Sequence, residues 1–341
     1  METRVLDKNL RYHWEKYLKT NPFSISWQGF DWKDILRKHY KFKFFPIAAF
    51  DNLKICGILP LYLIETTNGK RMLISVPYAA AGGIIADNDE IRSILLEKAI
   101  DLYKHHNAQK LVLKQYKFKL PGELGVEQSY YSCELPLEKN LDILWNSISE
   151  DNRKKIQETE QFNIFLDYPS KNIDLFYSLL LRFHHKSGIP CVNKRWIKNL
   201  VQSGNYKIAL MYSNHKPVAG TMVNEFKNAI SFPFSCLVKH NSFYMLYMYR
   251  LYWDLITHYA GLNFTHFHSG RIPLSNETYQ YRLGWGGKKN RYYYQYYPNT
   301  NNFSDINQIF NKKRKVFENI WKMTPQPITS VIGPYIVKRF P

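Results

Sequence analysis

The stretch Phe264–Tyr297 concentrates side chains suited to a charged reactant. It carries Arg271, Arg282, Lys288, Lys289 and Arg291 against one acid, Glu277, with Tyr279, Tyr281, Trp285 and Tyr292–Tyr294 interleaved. Guanidinium and ammonium groups bind phosphate, Arg through a bidentate fork, while aromatic faces stack on bases or sugars. Gly284, Gly286 and Gly287 let the backbone approach a ligand. The same composition also describes a basic surface beside a Tyr-rich edge strand. A second glycine pair, Gly82-Gly83, lies between an apolar strand and an acidic helix start, a weak signal for a phosphate loop.

Other chemistries find little support. His266 and His268 share a strand face, and His105-His106 and His184-His185 lie on helices, without H-E-x-x-H or a carboxylate triad. They read as surface or satisfied core histidines, and no metal is expected. Neither G-x-S-x-G nor G-x-x-x-x-G-K-[ST] occurs. Cys56, Cys133, Cys191 and Cys236 stand far apart and read as reduced, mostly buried thiols of a cytoplasmic protein.

The elements that must position these groups occur twice. Phe45–Phe50 and Ile55–Leu63 form a hairpin about the Asp51-Asn52 turn. Met72–Pro77 is a third strand, and Ala79–Ala86 a glycine-bearing loop. A helix follows, with Ile91, Ile94, Leu95, Ala99, Leu102 and Tyr103 on one face, and then a strand at Leu111/Leu113. The second half repeats the order: Tyr206–Tyr212, Pro217–Phe226, Asn228–Ser235, a helix over about Ser242–Ala260, and a strand at Phe264–His268. Gly57 aligns with Gly220. Two copies of one α/β unit are expected, or two unrelated α/β domains. Between them lie a helix over Leu141–Gln161 with Arg153-Lys154-Lys155-Ile156 at its middle, and another over Asn172–Lys186 closed by Gly188. A basic amphipathic helix runs from Lys312-Lys313-Arg314-Lys315 to Trp321, and Pro325–Pro341 reads as a docked tail.

Composition sets the bounds. The chain has 341 residues, 47 Lys+Arg against 28 Asp+Glu, a formal charge of +19 and 16% aromatics. With 45% apolar residues global disorder is excluded. The charge points to phosphate-bearing partners or an anionic membrane face. The uncharged stretch Met72–Ala86 falls short of the ~20 apolar residues of a spanning helix. Met1–Lys19 lacks the apolar centre of a signal peptide, so a cytoplasmic location is expected.

The run F-H-S-G-R-I-P-L-S-N-E-T-Y-Q-Y-R-L-G-W, Phe267–Trp285, resembles the C-terminal signature of FemAB-like transferases. Gly270, Arg271, Tyr279, Tyr281, Gly284 and Trp285 match its positions without gaps. Gly57-Ile58-Leu59-Pro60-Leu61, Ser75-Val76-Pro77-Tyr78 and Gly82-Gly83 look like the family's first domain. Arg153–Ile156 is similar to its basic inter-domain helix, and Pro217-Val218-Ala219-Gly220 to its second-domain hairpin. Trp321–Phe340 resembles the branch associated with exosortase/PEP-CTERM and exopolysaccharide loci.

The resemblance implies an α/β (α+β) fold of two tandem GNAT-type acyltransferase domains. The division expected is 1–140, 141–300 with the signature, and 301–341 as helix and tail packing back on the domains. It implies an acyl- or aminoacyltransferase that forms an amide on a cell-envelope, peptidoglycan or exopolysaccharide precursor, in which an amine attacks an activated carbonyl. Positioning and charge carry such a reaction without a nucleophilic residue. Arg282 stands where the family has a Lys thought to neutralise phosphate or the tRNA ester end, and keeps its charge but not its proton-transfer option. Tyr281 replaces a Phe lining that site, and Arg271 is a second phosphate or structural partner. Tyr279, Trp285, Lys288, Gly82 and Gly83 complete the implied binding residues. His268 stands where an Asp is common, and Ala80 lies in a loop where some relatives carry an acid. The base is then His268, Glu277 or solvent.

No tightly bound cofactor is expected; the donor is aminoacyl-tRNA or acyl-CoA, and the acceptor a nucleotide-sugar or lipid-linked glycan or peptide. The [QR]-x-x-G-x-[GA] loop that cradles acyl-CoA in single-domain relatives is missing from Ala79–Ala86 and from Ser235–Ser242. Three alternatives are an acyl-CoA-dependent N-acyltransferase acting on an amino sugar or polysaccharide, a non-catalytic module binding anionic glycan or RNA, and a peripheral scaffold at the anionic inner membrane through Lys312–Lys315 and Trp321.

Overall fold

The computed structural model describes residues 2–5, 10–65, 69–239, 241–273, 282–299 and 315–338. They divide into two compact units, the first with 2–131 and 290–299, the second with 132–289 and 315–338.

Unit 1 contains β1 (Glu2–Val5), α1 (Leu10–Thr20), α2 (Phe30–Tyr40), β2 (Lys43–Asp51), β3 (Lys54–Glu65) and β4 (Arg71–Ser75). These are followed by β5 (Ile85–Ala86), α3 (Asp89–His105), β6 (Lys110–Tyr116), β7 (Gly125–Glu127) and, from much later in the chain, β15 (Lys288–Tyr297). Its sheet runs β1-β2-β3-β4-β6-β15. Every neighbouring pair is antiparallel except β4 with β6. Asn52 takes φ 54° in the β2–β3 turn, a conformation Asn tolerates. The residues of β3 are buried almost without interruption, because α1 and α3 both pack on that strand. A Cβ added at Gly57 would lie 2.6 Å from Ile91 Cγ2, so only glycine lets α3 settle there. Asn88 starts α3 by accepting from Ile91 N–H at 2.9 Å.

Unit 2 contains β8 (Tyr130–Pro136, shared at its first two residues with unit 1), α4 (Leu141–Ser147), α5 (Glu150–Gln157), β9 (Ile164–Ser170), α6 (Ile173–Ser187) and α7 (Lys194–Gln202). The hairpin strands β10 (Tyr206–Ser213) and β11 (Lys216–Phe226) follow, then β12 (Ala229–Leu237), α8 (Ser242–Gly261), β13 (His266–His268) and β14 (Ile272–Pro273). The sheet order is β9-β10-β11-β12-β13-β8, with only β12 and β13 parallel among its described pairs. Strand for strand this is the order of unit 1, so the duplicated unit read from the sequence is present. The sixth strand of each sheet is out of chain order: β8 precedes the other strands of unit 2, and β15 follows all of them. The core of unit 2 gathers Met211, Val223, Ile230, Leu251, Leu255, Ile256 and Phe267 around α8.

Two local expectations change. The helix expected over Leu141–Gln161 is two helices, because Ser149 starts a new one by accepting from Asn152 N–H at 3.2 Å. Gly57 and Gly220 sit on equivalent strands but receive different helices. A Cβ at Gly220 would meet Phe176 of α6 at 3.2 Å, whereas Gly57 faces α3.

Candidate active site at the strand divergence of unit 2

Strands β12 and β13 are paired from Ala229↔His266 to Ser231↔His268. There β13 ends, while β12 runs on to Leu237 along β11. Just past the last pair β12 bulges: Phe232 and Pro233 stand opposite the single Val223, between Asn224↔Ser231 and Met222↔Phe234. Proline has no N–H to give to a neighbouring strand. Gly270, at φ 74°, turns the chain away after β13.

Polar groups collect at this divergence. His268 lies directly opposite Glu134 of β8, and its Nε2 is 3.3 Å from Glu134 Oε1. The imidazole side chain is 28% exposed and the carboxylate side chain 11%, so the ring reaches solvent while its partner is held inside. Ser269 fixes the turn: its Oγ accepts from Cys133 N–H at 2.8 Å and its N–H donates to Cys133 O at 3.0 Å. Arg282 Nη1 donates to Arg271 O at 3.1 Å and Ser269 O at 3.4 Å. Deeper in, Tyr252 Oη, Ser235 Oγ and Thr221 Oγ1 form a hydroxyl chain with steps of 2.8 and 2.7 Å. Burial raises the Tyr252 phenol above its ordinary value, while the Arg282 charge and the Ser235 hydrogen bond work the other way. The site thus offers an oriented imidazole, a guanidinium and a bulged strand edge.

The corresponding divergence of unit 1 is filled by its own chain. Strands β4 and β6 pair from Met72↔Lys110 to Ile74↔Val112. Beyond them, Gly82 and Gly83 N–H both donate to Lys114 O, at 3.0 and 2.9 Å. Lys114, itself buried, donates its Nζ to Ala79 O at 3.2 Å, and Tyr294 Oη donates to Ala80 O at 2.7 Å. Trp32 Nε1 and Gln28 Nε2 hold Pro77 O and Gly83 O. Within this loop Val76 and Tyr78 take φ 46° and 62°, strained for a β-branched and an aromatic residue.

The residues singled out from sequence therefore separate. His268, Arg282 and the backbone of Arg271 meet at the unit 2 divergence. Trp285 lies in the core, 1% exposed, with its ring near Tyr249 and Tyr252. Lys288 is exposed at the start of β15. Gly82 and Gly83 belong to unit 1, their amides engaged by Lys114. Glu277, Tyr279 and Tyr281 lie outside the described residues. Gly284, Gly286 and Gly287 do allow a close approach, but to the protein itself. Added Cβ atoms there would lie 2.5 Å from Asn152 Oδ1, 2.4 Å from Ser147 O and 2.1 Å from Glu134 O. The Lys154 and Lys155 side chains of α5 pair with Glu150 and Asp151, and Arg153 donates to Ile148 O at 2.6 Å. Sequence reading missed Glu134, Tyr252 and Ser235. Glu134 carries no local signal, because only long-range pairing of β8 with β13 brings it to His268.

No family model matches the chain, and no curated protein does. Solved structures match along most of its length. FemX aligns with a TM-score of 0.65 at 11% identity, covering 86% of this chain and 97% of that one. The fold is that of tandem GNAT-type acyltransferases. A tandem GNAT protein from the clavulanic acid biosynthesis pathway gives 0.53 at 9% identity over 86% and 97% of the two chains. The C-terminal domain of a putative lysylphosphatidylglycerol synthetase from Agrobacterium fabrum gives 0.55 at 8% identity over 88% and 94%. Among the described residues no helix is long and apolar enough to cross a membrane.

Proposed function

We propose that the chain is an acyltransferase that forms an amide at the unit 2 divergence, with an aminoacyl ester of tRNA as donor and an amine on an envelope or exopolysaccharide precursor as acceptor. The observation that carries this reading is the His268–Glu134 pair beside the β12 bulge. Glu134 orients the imidazole, and His268 takes the proton from the attacking ammonium or amine. The amine nitrogen bonds to the carbonyl carbon, the carbonyl oxygen gains charge, and its collapse breaks the ester bond and expels the ribose oxygen, which leaves as a hydroxyl by taking back the proton that His268 holds. Arg282 supplies positive charge to the donor's phosphate or to that oxygen. The activated ester already carries the driving force, so a nucleophilic side chain is unnecessary.

An acyl-CoA donor is the second reading of the same chemistry. The helix starts favour the ester. In both units an Asn side chain caps the helix that follows the third strand, accepting from Ile91 N–H and Tyr244 N–H at 2.9 Å each. Those are amides of the kind a pyrophosphate takes at a helix start. The decisive experiment incubates the protein with charged tRNA or acetyl-CoA and an amine-bearing precursor, and follows amide formation. Amide formed from tRNA, and lost in His268→Ala, is the expected result. Amide formed only from acetyl-CoA assigns the other donor, and no amide from either overturns the reading.

A further inference from the structure

Residues 315–323 are helical, and a closing helix follows at Gln326–Val337. One face of each docks on unit 2. Trp321 and Thr329 are buried, Thr324 O lies 2.8 Å from His185 Nε2, and a Cβ added at Gly333 would lie 3.2 Å from Cys191 O. The opposite faces are apolar. Val316, Ile320 and Met323 follow i, i+4, i+7 spacing, and Ile328, Val331, Ile332 and Tyr335 follow i, i+3, i+4, i+7. All seven are between 38% and 84% exposed. A docked helix ordinarily turns its polar face to water. Single exposed apolar residues need no account, but two consecutive helical stripes of them do.

Charge says what covers them. In sequence, Lys312-Lys313-Arg314-Lys315 stands directly before the first stripe and Lys338-Arg339 directly after the second. Residues 312–341 hold seven Lys and Arg and one acid, Glu318, whose backbone packs over Gly188 on the docked side. From Met323 to Val337 there is no charge at all. Apolar stripes bounded by cations match a bilayer interface, with side chains at the acyl boundary and ammonium groups among anionic headgroups. A second copy fits less well, since it would bring two such basic segments of a +19 chain together. We propose that this C-terminal helical face docks the protein on an anionic lipid surface. Trp321, which the sequence suggested as the inserting residue, is on the docked side.

The test is flotation of the full chain with phosphatidylcholine vesicles, pure or with about a third phosphatidylglycerol. Binding to the anionic vesicles alone is expected, weakened by salt. Val331→Glu combined with Tyr335→Glu lowers partition at least tenfold. Lys322→Gln lowers it about fivefold, the share of one cation near a charged surface. Both stripe side chains point to water, so the melting curve of the double variant matches the wild type. Absence of flotation, equal flotation on neutral vesicles, or undiminished flotation of the double variant overturns the proposal. So does a dimer that the double variant dissociates, which would assign the face to a second copy. No acyl donor enters the assay, so its failure leaves the transferase reading standing.

Discussion

The two units share a strand order, yet their diverging parallel strands meet different fates. In unit 1 the chain after β4 folds back into the gap and ties itself to Lys114, Tyr294, Trp32 and Gln28. In unit 2 the third strand continues past a bulge at Phe232-Pro233, and the gap is bordered by His268, Glu134 and Arg282. Duplication supplies two equivalent divergences, and in unit 1 the local chain and its side chains close one of them. Burial follows the same division: Lys114 is held inside by a carbonyl, whereas His268 keeps an edge in solvent.

Substitutions at the two gaps test this contrast. The largest effect is expected at His268→Ala, lowering the single-turnover rate about 10²–10⁴-fold, the usual share of a general base. Glu134→Gln, which keeps the contact but weakens the orienting charge, costs about tenfold with little change in acceptor affinity. Tyr294→Phe in unit 1 leaves the rate within about twofold. A reversed ranking, with Tyr294→Phe abolishing turnover and His268→Ala sparing it, would move the chemistry to unit 1.

Arg282→Ala is expected to reduce turnover about 10²-fold, with Lys restoring part of it because charge outlasts fork geometry. Stability comes next. Gly287→Ala forces a Cβ to 2.1 Å from Glu134 O at φ 84°, so urea melts should show a loss of about 3 kcal/mol or more. Gly83→Ala in unit 1 meets the end of the Gln115 side chain at 2.5 Å, which can shift, so about 1–2 kcal/mol is expected. For Tyr294→Phe the same melts should give about 1 kcal/mol, one neutral hydrogen bond.

The smallest effect is a pH slope confined to unit 1. Burial lowers Lys110 from 10.5 to about 8, with Glu127 pulling the other way. Between about 8 and 10.5 the unfolded chain holds a proton that the folded one has released, so stability rises with pH across that window. Below it both states are protonated and the cost of the buried charge is fully present. Melting temperatures of wild type and Lys110→Met, compared from pH 7 to 10, should converge as pH rises. A constant difference would mean that Lys110 titrates as it does in the unfolded chain.

Much of the architecture was legible in local pattern. Strand alternation, the Asn and Gly turns and the Gly188 cap are short-range devices, and they produced the duplicated hairpin, strand, helix and strand almost residue for residue. The glycines were harder. Gly82, Gly83, Gly284, Gly286 and Gly287 read as places where a backbone could meet a ligand, because a missing Cβ says only that something comes close. In the folded chain that something is Val76, Gln115, Asn152, Ser147 or Glu134. The basic run in α5 misled for a related reason: its acids stand one helical turn earlier and neutralise it.

By itself the sequence determined the unit that is repeated, the order of its elements and the presence of an imidazole and a guanidinium close together near the end of the second copy. These depend on periodicity, on turn chemistry and on residues close in the chain. Tertiary structure decided the rest. It brought Glu134 from before the second copy to face His268, sent β15 back to complete the first sheet, and filled the divergence of unit 1 with its own loop. It also turned Trp321 and Trp285 inward while leaving the stripes from Val316 to Tyr335 outside. Each of these turns on which distant segments pair, and that is set by the summed burial and hydrogen bonding of whole elements and not by any local pattern.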